Sequence, residues 1–394
     1  MTEKKKTILK MLSKLDEKQL AEMIKDYKAK LLSDSSRSGA TSTDKPTAEQ
    51  SSKSAHSGEV FKVFDMPENV KKQLKIYSST SDNALSSHTA KWVNDVKNLP
   101  HFTTPLPSLN KEFLDNARRI WDENVSGLDE IYEKVISHIV GYIRTGNAAP
   151  MIFHGKPGCG KSHVARVIGK ILNLYTCTRS ANEVAKGCGV KGERLSYMAS
   201  SSGIIASGML ESHSGSYVLV LDEVDKIKIH DGHGGDFQSD LLEITEPLTA
   251  KEFRDTFLDM KIDSSHVFII MTANEIANVS EPLLSRSEVI EFPPINEESL
   301  VAIVTNHVLP ELEDQNKTKN HVTVPDEILR KAVSIGYSRG ICDIRHYKKM
   351  IKTALGNGLR RSITEGKAVT LELGQLCDYG SSAYKQKPIM GFVH

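Results

Sequence analysis

Cysteine is scarce in this chain of 394 residues: five are present, Cys159, Cys177, Cys188, Cys342 and Cys377, scattered and odd in number. No Cys-x-x-Cys pair occurs, which argues against a zinc or disulfide framework and for free thiols in a reducing compartment. Long apolar runs are lacking too. Nowhere do about 18 hydrophobic residues follow one another, so no segment is built to cross a bilayer. Met1 to Lys10 carries lysines without the apolar core of a signal peptide, and Glu3, Asp16 and Glu17 are at odds with a transit peptide. Charge of one sign is missing as well: 51 lysines and arginines face 50 acids, a formal charge of +1. That balance, with no basic stripe interleaved by aromatics, argues against a nucleic acid or an anionic membrane as partner. The expectation is a soluble intracellular protein. Its 39% hydrophobic residues suffice for two or three cores of ordinary domain size.

What is present centres on Met151 to Ser162. An apolar run leads into Gly155, Lys156, Pro157, Gly158, Cys159, Gly160, Lys161 and Ser162, and His163 to Leu172 has a helical pattern. This G-x-x-x-x-G-K-S string between a strand and a helix is a P-loop. A polyphosphate is bound there by backbone N–H groups that all point inward, which side chains at the glycines would obstruct. Lys161 reaches the β- and γ-phosphates, Ser162 holds Mg²⁺, and the helix start with His163 adds partial positive charge. ATP and Mg²⁺ are the cofactors this string implies.

Around it the chain divides by pattern. Residues 1–32 carry an amphipathic helix over Ile8 to Leu32, which either packs on its own protein, self-associates, or docks a partner. Residues 33–58 are rich in serine with almost nothing to bury and read as a flexible linker. Residues 59–121 form a helical segment broken by Pro100, Pro105 and Pro107. Residues 122–293 hold a helix over Leu128 to Ile143 and apolar runs at Leu174 to Cys177, Tyr217 to Leu221, Val267 to Met271 and Val289 to Phe292. Continuous apolar strands alternating with helices predict an α/β fold, a parallel sheet flanked by helices. After Pro293-Pro294, residues 294–380 read as a C-terminal helical lid with helices at Glu297 to Leu309, Pro325 to Ser334 and Asp343 to Leu355. A short strand at Val369 to Leu373 and a helical turn at Gln375 to Tyr379 precede a tail, 381–394.

Tyr217 to Leu221 ends in Asp222-Glu223, placing two carboxylates at the C-terminal end of a buried strand, where open α/β sheets bind ligands. Asp222 is the candidate Mg²⁺ ligand beside Ser162, and Glu223 the general base that polarises water. Asn274, closing the next strand, either orients that water or caps the following helix. Arg286 is either a surface arginine or, in a ring, an arginine finger for the neighbour's γ-phosphate.

These motifs, in order, resemble the AAA+ ATPase module of Lon-type proteases from about Lys91 to about Tyr379. Lys91-Trp-Val-Asn-Asp-Val-Lys-Asn-Leu-Pro100, Val125-Ser-Gly-Leu-Asp-Glu130 and Gly192-Glu-Arg-Leu-Ser-Tyr-Met-Ala199 carry the likeness, as do Leu221-Asp-Glu-Val-Asp-Lys226, Asp255 to Asp259, Thr272-Ala-Asn274 and Leu284-Ser-Arg-Ser-Glu-Val-Ile290. The resemblance implies a P-loop AAA+ core and a homo-oligomeric, hexameric ring with nucleotide between subunits and Arg286 acting in trans. It also implies a pore loop, Tyr197-Met198, that grips a protein substrate, with Phe253 on a second loop below. Two departures stand out: the lid arginine that senses γ-phosphate is Cys342 here, with Arg345 or Arg339 as substitutes, and the adenine-side tyrosine is Ser126. Because the sequence stops at His394, about where the peptidase would start, the expected activity is ATP-driven unfolding or translocation without proteolysis. The alternative is a regulatory subunit that joins a Lon-like protease or a separate peptidase; a nucleic-acid motor is a third, less favoured reading.

Overall fold

A computed structural model describes residues 58–79, 86–147, 149–187, 189–195, 200–227 and 237–376. The Ile8 to Leu32 helix, the linker before Gly58, the tail, and Tyr197 and Met198 lie outside the described residues.

Four helices come first: α1 (Glu68–Ser79), α2 (Ser87–Asn98), α3 (Lys111–Asn124) and α4 (Asp129–Thr145). Helix α3 starts where the Asn110 side chain accepts the Phe113 N–H at 2.8 Å, and its buried residues Phe113, Ala117 and Trp121 recur every four positions on one face. Then β1 (Met151–His154), α5 (Lys161–Leu172), β2 (Thr176–Ser180), α6 (Ala181–Lys186), α7 (Ile204–Ser212) and β3 (Val218–Asp222) alternate as the pattern predicts. They are followed by α8 (Phe237–Thr245), α9 (Pro247–Ala250), β4 (Phe253–Asp255), β5 (Met260–Ile262), β6 (Phe268–Ala273), α10 (Glu281–Ser285) and β7 (Glu288–Glu291).

The main sheet has the order β2-β3-β6-β1-β7, every pairing parallel. Its central strands β1, β3 and β6 are buried on both faces, and the period of two sorts their side chains. Val218 and Val220 enter one core with Met151, Phe153 and Trp121; Leu219 and Leu221 enter the other with Ile152, Met271 and Trp92. Each such side chain contributes roughly 1.5–3 kcal/mol by leaving water. The two cores fix the C-terminal ends of β1, β3 and β6 side by side, and these ends carry the P-loop, Asp222-Glu223 and Asn274.

Beyond β7 the lid is built from α11 (Glu297–Ile303), a π-helical turn Val304–Val308, α12 (Leu309–Asn316), β8 (Val322–Thr323), α13 (Asp326–Ser338), α14 (Ile344–Glu365), β9 (Val369–Thr370) and α15 (Leu373–Leu376). A third core, including Leu300, Leu329, Val333, Tyr347 and Ile351, holds it together, and Ile295 packs against both this core and the one beneath the sheet. The lid is not purely helical: β8 pairs in parallel with β9. Nor is Glu297 to Leu309 one regular helix. Pro310 has no N–H to donate to the preceding turn, and the chain widens into the π-turn just before it.

Candidate functional site

The P-loop leaves β1 and enters α5 through Gly160, whose left-handed φ of 95° leaves the helix N-terminus without a side-chain cap. Its first N–H groups are therefore available to an anion. Lys161, only 7% exposed, donates to the Gly155 carbonyl at 2.7 Å, the Lys156 carbonyl at 3.0 Å and Asn274 Oδ1 at 3.0 Å. The Asn274 amide oxygen thus faces Lys161, while the residue that precedes the next helical turn is Glu275.

Ser162 Oγ donates to Asp222 Oδ1 at 2.8 Å, joining the end of β3 to the start of α5. A hydroxyl and a carboxylate oxygen so close form the hard oxygen donor set that Mg²⁺ takes, so these residues fit that ion. Glu223 follows in the left-handed region, φ 61° and ψ 49°. Such a conformation costs a non-glycine residue about 1–2 kcal/mol. It is held by Thr272, whose Oγ1 accepts the Glu223 N–H at 3.1 Å and donates to Asp222 Oδ1 at 3.0 Å. One buried hydroxyl thus holds the Asp222 carboxylate and the Glu223 backbone, with Glu223 exposed to the cleft.

The cleft has a volume of about 460 Å³ and opens between sheet and lid. Pro157, Gly158, Cys159, Gly160, Lys161, Ser162, His163, Asp222, Glu223, Asn274 and Arg345 all line it. Gly155 and Lys156 contribute from behind, through the carbonyls that hold Lys161. At the far end stand Val125, Ser126, Leu128, Ile303 and His307. Ser126 Oγ lies 3.2 Å from His307 Nε2, so the serine at the adenine-side position meets the lid's π-turn directly. Burial draws the His307 pKa below its ordinary value, which favours a neutral ring there.

The lid brings Arg345 and Lys348 to the cleft from α14, and Glu311 from α12. Lys348 Nζ donates to both Glu311 oxygens at 2.8 and 2.9 Å and holds that carboxyl below its usual range. Cys342 is exposed and is not among the lining residues; its neighbour Asp343 presses on the loop instead. A Cβ at Gly158, where φ is +80°, would stand 2.1 Å from Asp343 Oδ1, so this position requires glycine for backbone and space alike. The same oxygen accepts the Arg345 N–H at 2.9 Å and caps α14.

Two expected residues lie elsewhere. Arg286 follows α10 and pairs with Glu246, Nε to Oε2 3.1 Å, away from its own cleft. Phe253 corrects the expectation of a second substrate-gripping loop. It opens β4, which pairs with β5, and it is 0% exposed within the core, so it has no surface to offer a passing chain. Arg254 is the residue of that strand that faces outward. Thr272, Lys348 and His307 escaped the sequence reading. A helical step of three from Arg345 could have found Lys348, and Thr272 sits inside a motif already noted; nothing local marks His307.

Residues 151–295 match the family described as ATPase family associated with various cellular activities (AAA). The chain is similar to a Lon protease of Methanosarcina barkeri, 30% identical over 314 residues, covering 77% of this chain and 38% of the relative. It is also similar to a Lon protease of Clostridium beijerinckii, 27% identical over 338 residues, covering 84% and 42%. For a mitochondrial Lon protease homolog of Drosophila melanogaster the identity is 29% over 283 residues, covering 69% and 27%. The chain thus spans well under half the length of these relatives. With their parallel sheet and P-loop, residues 151–295 are an AAA-family ATPase domain, within a chain whose wider similarity to Lon proteases is that of a Lon-type AAA+ module.

Proposed function

We propose that this chain is an ATP-hydrolysing motor that unfolds or translocates protein substrates as part of a homo-oligomeric ring. The observation that carries the reading is the convergence of Lys161, Ser162, Asp222, Glu223 and Asn274 on one cleft that the lid closes. Phosphoryl transfer to water leaves little covalent work for a protein, so positioning and charge neutralisation are the mechanism. The P-loop N–H groups and Lys161 bind the β- and γ-phosphates. Ser162 and Asp222 would hold Mg²⁺, which supplies charge neutralisation across the phosphates when bound. Glu223 takes a proton from the attacking water, and Asn274 orients that water. Arg345 and Lys348 stand where Cys342 offers no charge, and report the γ-phosphate to α14.

Arg286, exposed and turned from its own cleft, suits a role in the neighbouring subunit's cleft; a ring of six is the arrangement the Lon-like resemblance favours. The stretch around Tyr197 and Met198 would grip the substrate chain through an aromatic ring and a flexible thioether, which hold by shape without reading sequence. In this reading the module pulls, and cutting falls to a peptidase domain or partner. Among the described residues no helix is long and apolar enough to cross a membrane.

The test is ATP turnover by the wild type and Glu223→Gln, with and without an unfolded protein. Wild type should turn over faster with the unfolded chain, and Glu223→Gln should bind ATP without turnover in either case. A wild type that binds ATP and never hydrolyses it would end the motor reading.

A further inference from the structure

The described residues before and after Tyr197 approach each other as a narrow neck. Gly192 and Gly203 face each other across it: a Cβ on Gly192, where φ is +76°, would meet Gly203 N at 2.7 Å, and one on Gly203 would meet Gly192 N at 2.8 Å. Just beyond, the Glu193 N–H donates to the Ser201 carbonyl at 3.1 Å. Side chains are absent here because the two backbones need the space.

Both ends of this neck are held by two consecutive residues at the end of β4. Asp255 Oδ2 accepts the Gly203 N–H at 2.8 Å, and the Thr256 N–H donates to the Lys191 carbonyl at 2.7 Å. The other Asp255 oxygen accepts the Leu258 N–H at 2.8 Å, tying the carboxylate to its own hairpin. That hairpin is bolted into the core by Phe253, Phe257 and Leu258, each at most 1% exposed. Asp255 itself is 0% exposed, and the Asp95 carboxyl on α2 is also buried beside Ser202, with Ser202 Oγ 3.4 Å from Asp95 Oδ2. No cation pairs with Asp255 among the described residues; Lys91 lies over the Phe257 ring instead.

We infer that Asp255 is a positioning residue for substrate engagement: with Thr256 it ties Gly203 and Lys191, described residues on either side of Tyr197, to the β4–β5 hairpin as a clamp. The inference rests on the proposal that the stretch around Tyr197 contacts substrate. A buried carboxylate without a cation is an unfavourable choice for mere packing. Burial raises its pKa to about 6, and a neutral residue of the same size would sit there more comfortably. What only a carboxylate offers at this point is two acceptor oxygens, shared between the Gly203 N–H and the N–H groups of its own hairpin. In Asp255→Asn one of those N–H groups must face an amide NH₂. Because that variant could turn its remaining oxygen toward Gly203, Thr256→Pro opens the opposite side of the neck independently. It deletes the N–H that reaches Lys191, in the turn that follows β4.

The experiment uses the full chain and four readouts: basal ATP turnover, turnover stimulated by a reduced and carboxymethylated protein, amide hydrogen exchange over residues 192–203, and melting temperature. In both variants exchange over 192–203 should rise about tenfold and the KM for the unfolded protein at least fivefold. Basal turnover should stay within twofold, and the melting temperature of Asp255→Asn should not fall. Unchanged exchange in both variants would overturn the clamp, and so would faster exchange accompanied by an equal acceleration across the whole core, the mark of a structural residue only. Tyr197→Ala separates the two claims. If it leaves stimulation intact, the substrate reading fails while the exchange data still decide the clamp. If it abolishes stimulation and the clamp variants keep a normal KM, Asp255 has no part in positioning.

Discussion

Replacing Thr272 by valine keeps the volume and the β-branch of a residue only 3% exposed, and removes one hydroxyl. That hydroxyl makes two hydrogen bonds, to the Glu223 N–H and to Asp222. Losing the first leaves a backbone donor unsatisfied at a residue whose left-handed geometry already costs about 1–2 kcal/mol. Losing the second deprives a carboxylate of a donor, and a hydrogen bond to a charged group is worth about 1.5–3 kcal/mol. Water at the open side of the cleft can replace part of each, so a net change of about 1.5–3 kcal/mol in the aligned state is the working figure, a ten- to hundredfold loss. It should fall on kcat. The phosphate contacts of Lys161 and the P-loop do not involve Thr272, so ATP affinity should change less than threefold. The assay is single-turnover hydrolysis with ATP binding measured separately, alongside Thr272→Ser, which keeps the hydroxyl and should retain most of the rate. If Thr272→Val lowers stability by the expected amount yet hydrolyses ATP at the wild-type rate, the claim that this hydroxyl aims Glu223 is wrong.

The remaining expectations concern charge. Asp343→Asn keeps a side-chain oxygen to cap α14 but removes a negative charge resting on the P-loop. ATP should bind about three- to tenfold tighter by equilibrium titration, on the order of 1 kcal/mol for one charge near a phosphate in a solvated cleft; weaker binding would refute it. Arg286→Ala should bind ATP normally and lose turnover by about 10³-fold or more, the scale of an arginine finger. Mixing it with Glu223→Gln should restore part of the activity, since mixed rings contain interfaces with both groups intact; no recovery would place Arg286 outside the neighbour's cleft. Asp255 should leave a mark on pH dependence. Its folded pKa is raised from 3.8 to about 6, so between those values the folded state binds more protons than the unfolded one and stability falls as pH rises. From pH 5 to 6.5 this group alone should lower stability by about 1 kcal/mol, seen as the difference between wild type and Asp255→Asn in denaturant titrations at each pH. A difference that does not vary with pH would show that Asp255 titrates normally.

How much of this was legible in the sequence depends on how far apart the partners lie. The P-loop is a continuous string whose glycines, lysine and serine act within one turn of chain, and Asp222-Glu223 directly follow an apolar strand. Both therefore read locally, as did the parallel sheet, whose central strands β1, β3 and β6 are apolar runs because both their faces are covered. The expectation for Phe253 rested on the resemblance alone; β4 and β5 are three residues each, too short for a period to declare itself, and in their pairing Phe253 stands opposite Ile262 with both side chains buried. The Ser126 to His307 contact spans 181 residues and depends on a π-turn that a helical period cannot register. The Asp255 clamp is likewise tertiary: its carboxylate meets Gly203 only because the hairpin packs beneath α7 and the neck.

The central claim is that hydrolysis in this cleft does mechanical work on a protein. A folded fluorescent protein bearing an unstructured tail, mixed with the full chain and ATP, reports that work directly through the loss of its native fluorescence. The account predicts loss with wild type and ATP, and none with Glu223→Gln or with a nucleotide that cannot be hydrolysed. Brisk ATP turnover by an assembled wild-type ring that leaves every such substrate folded would contradict it.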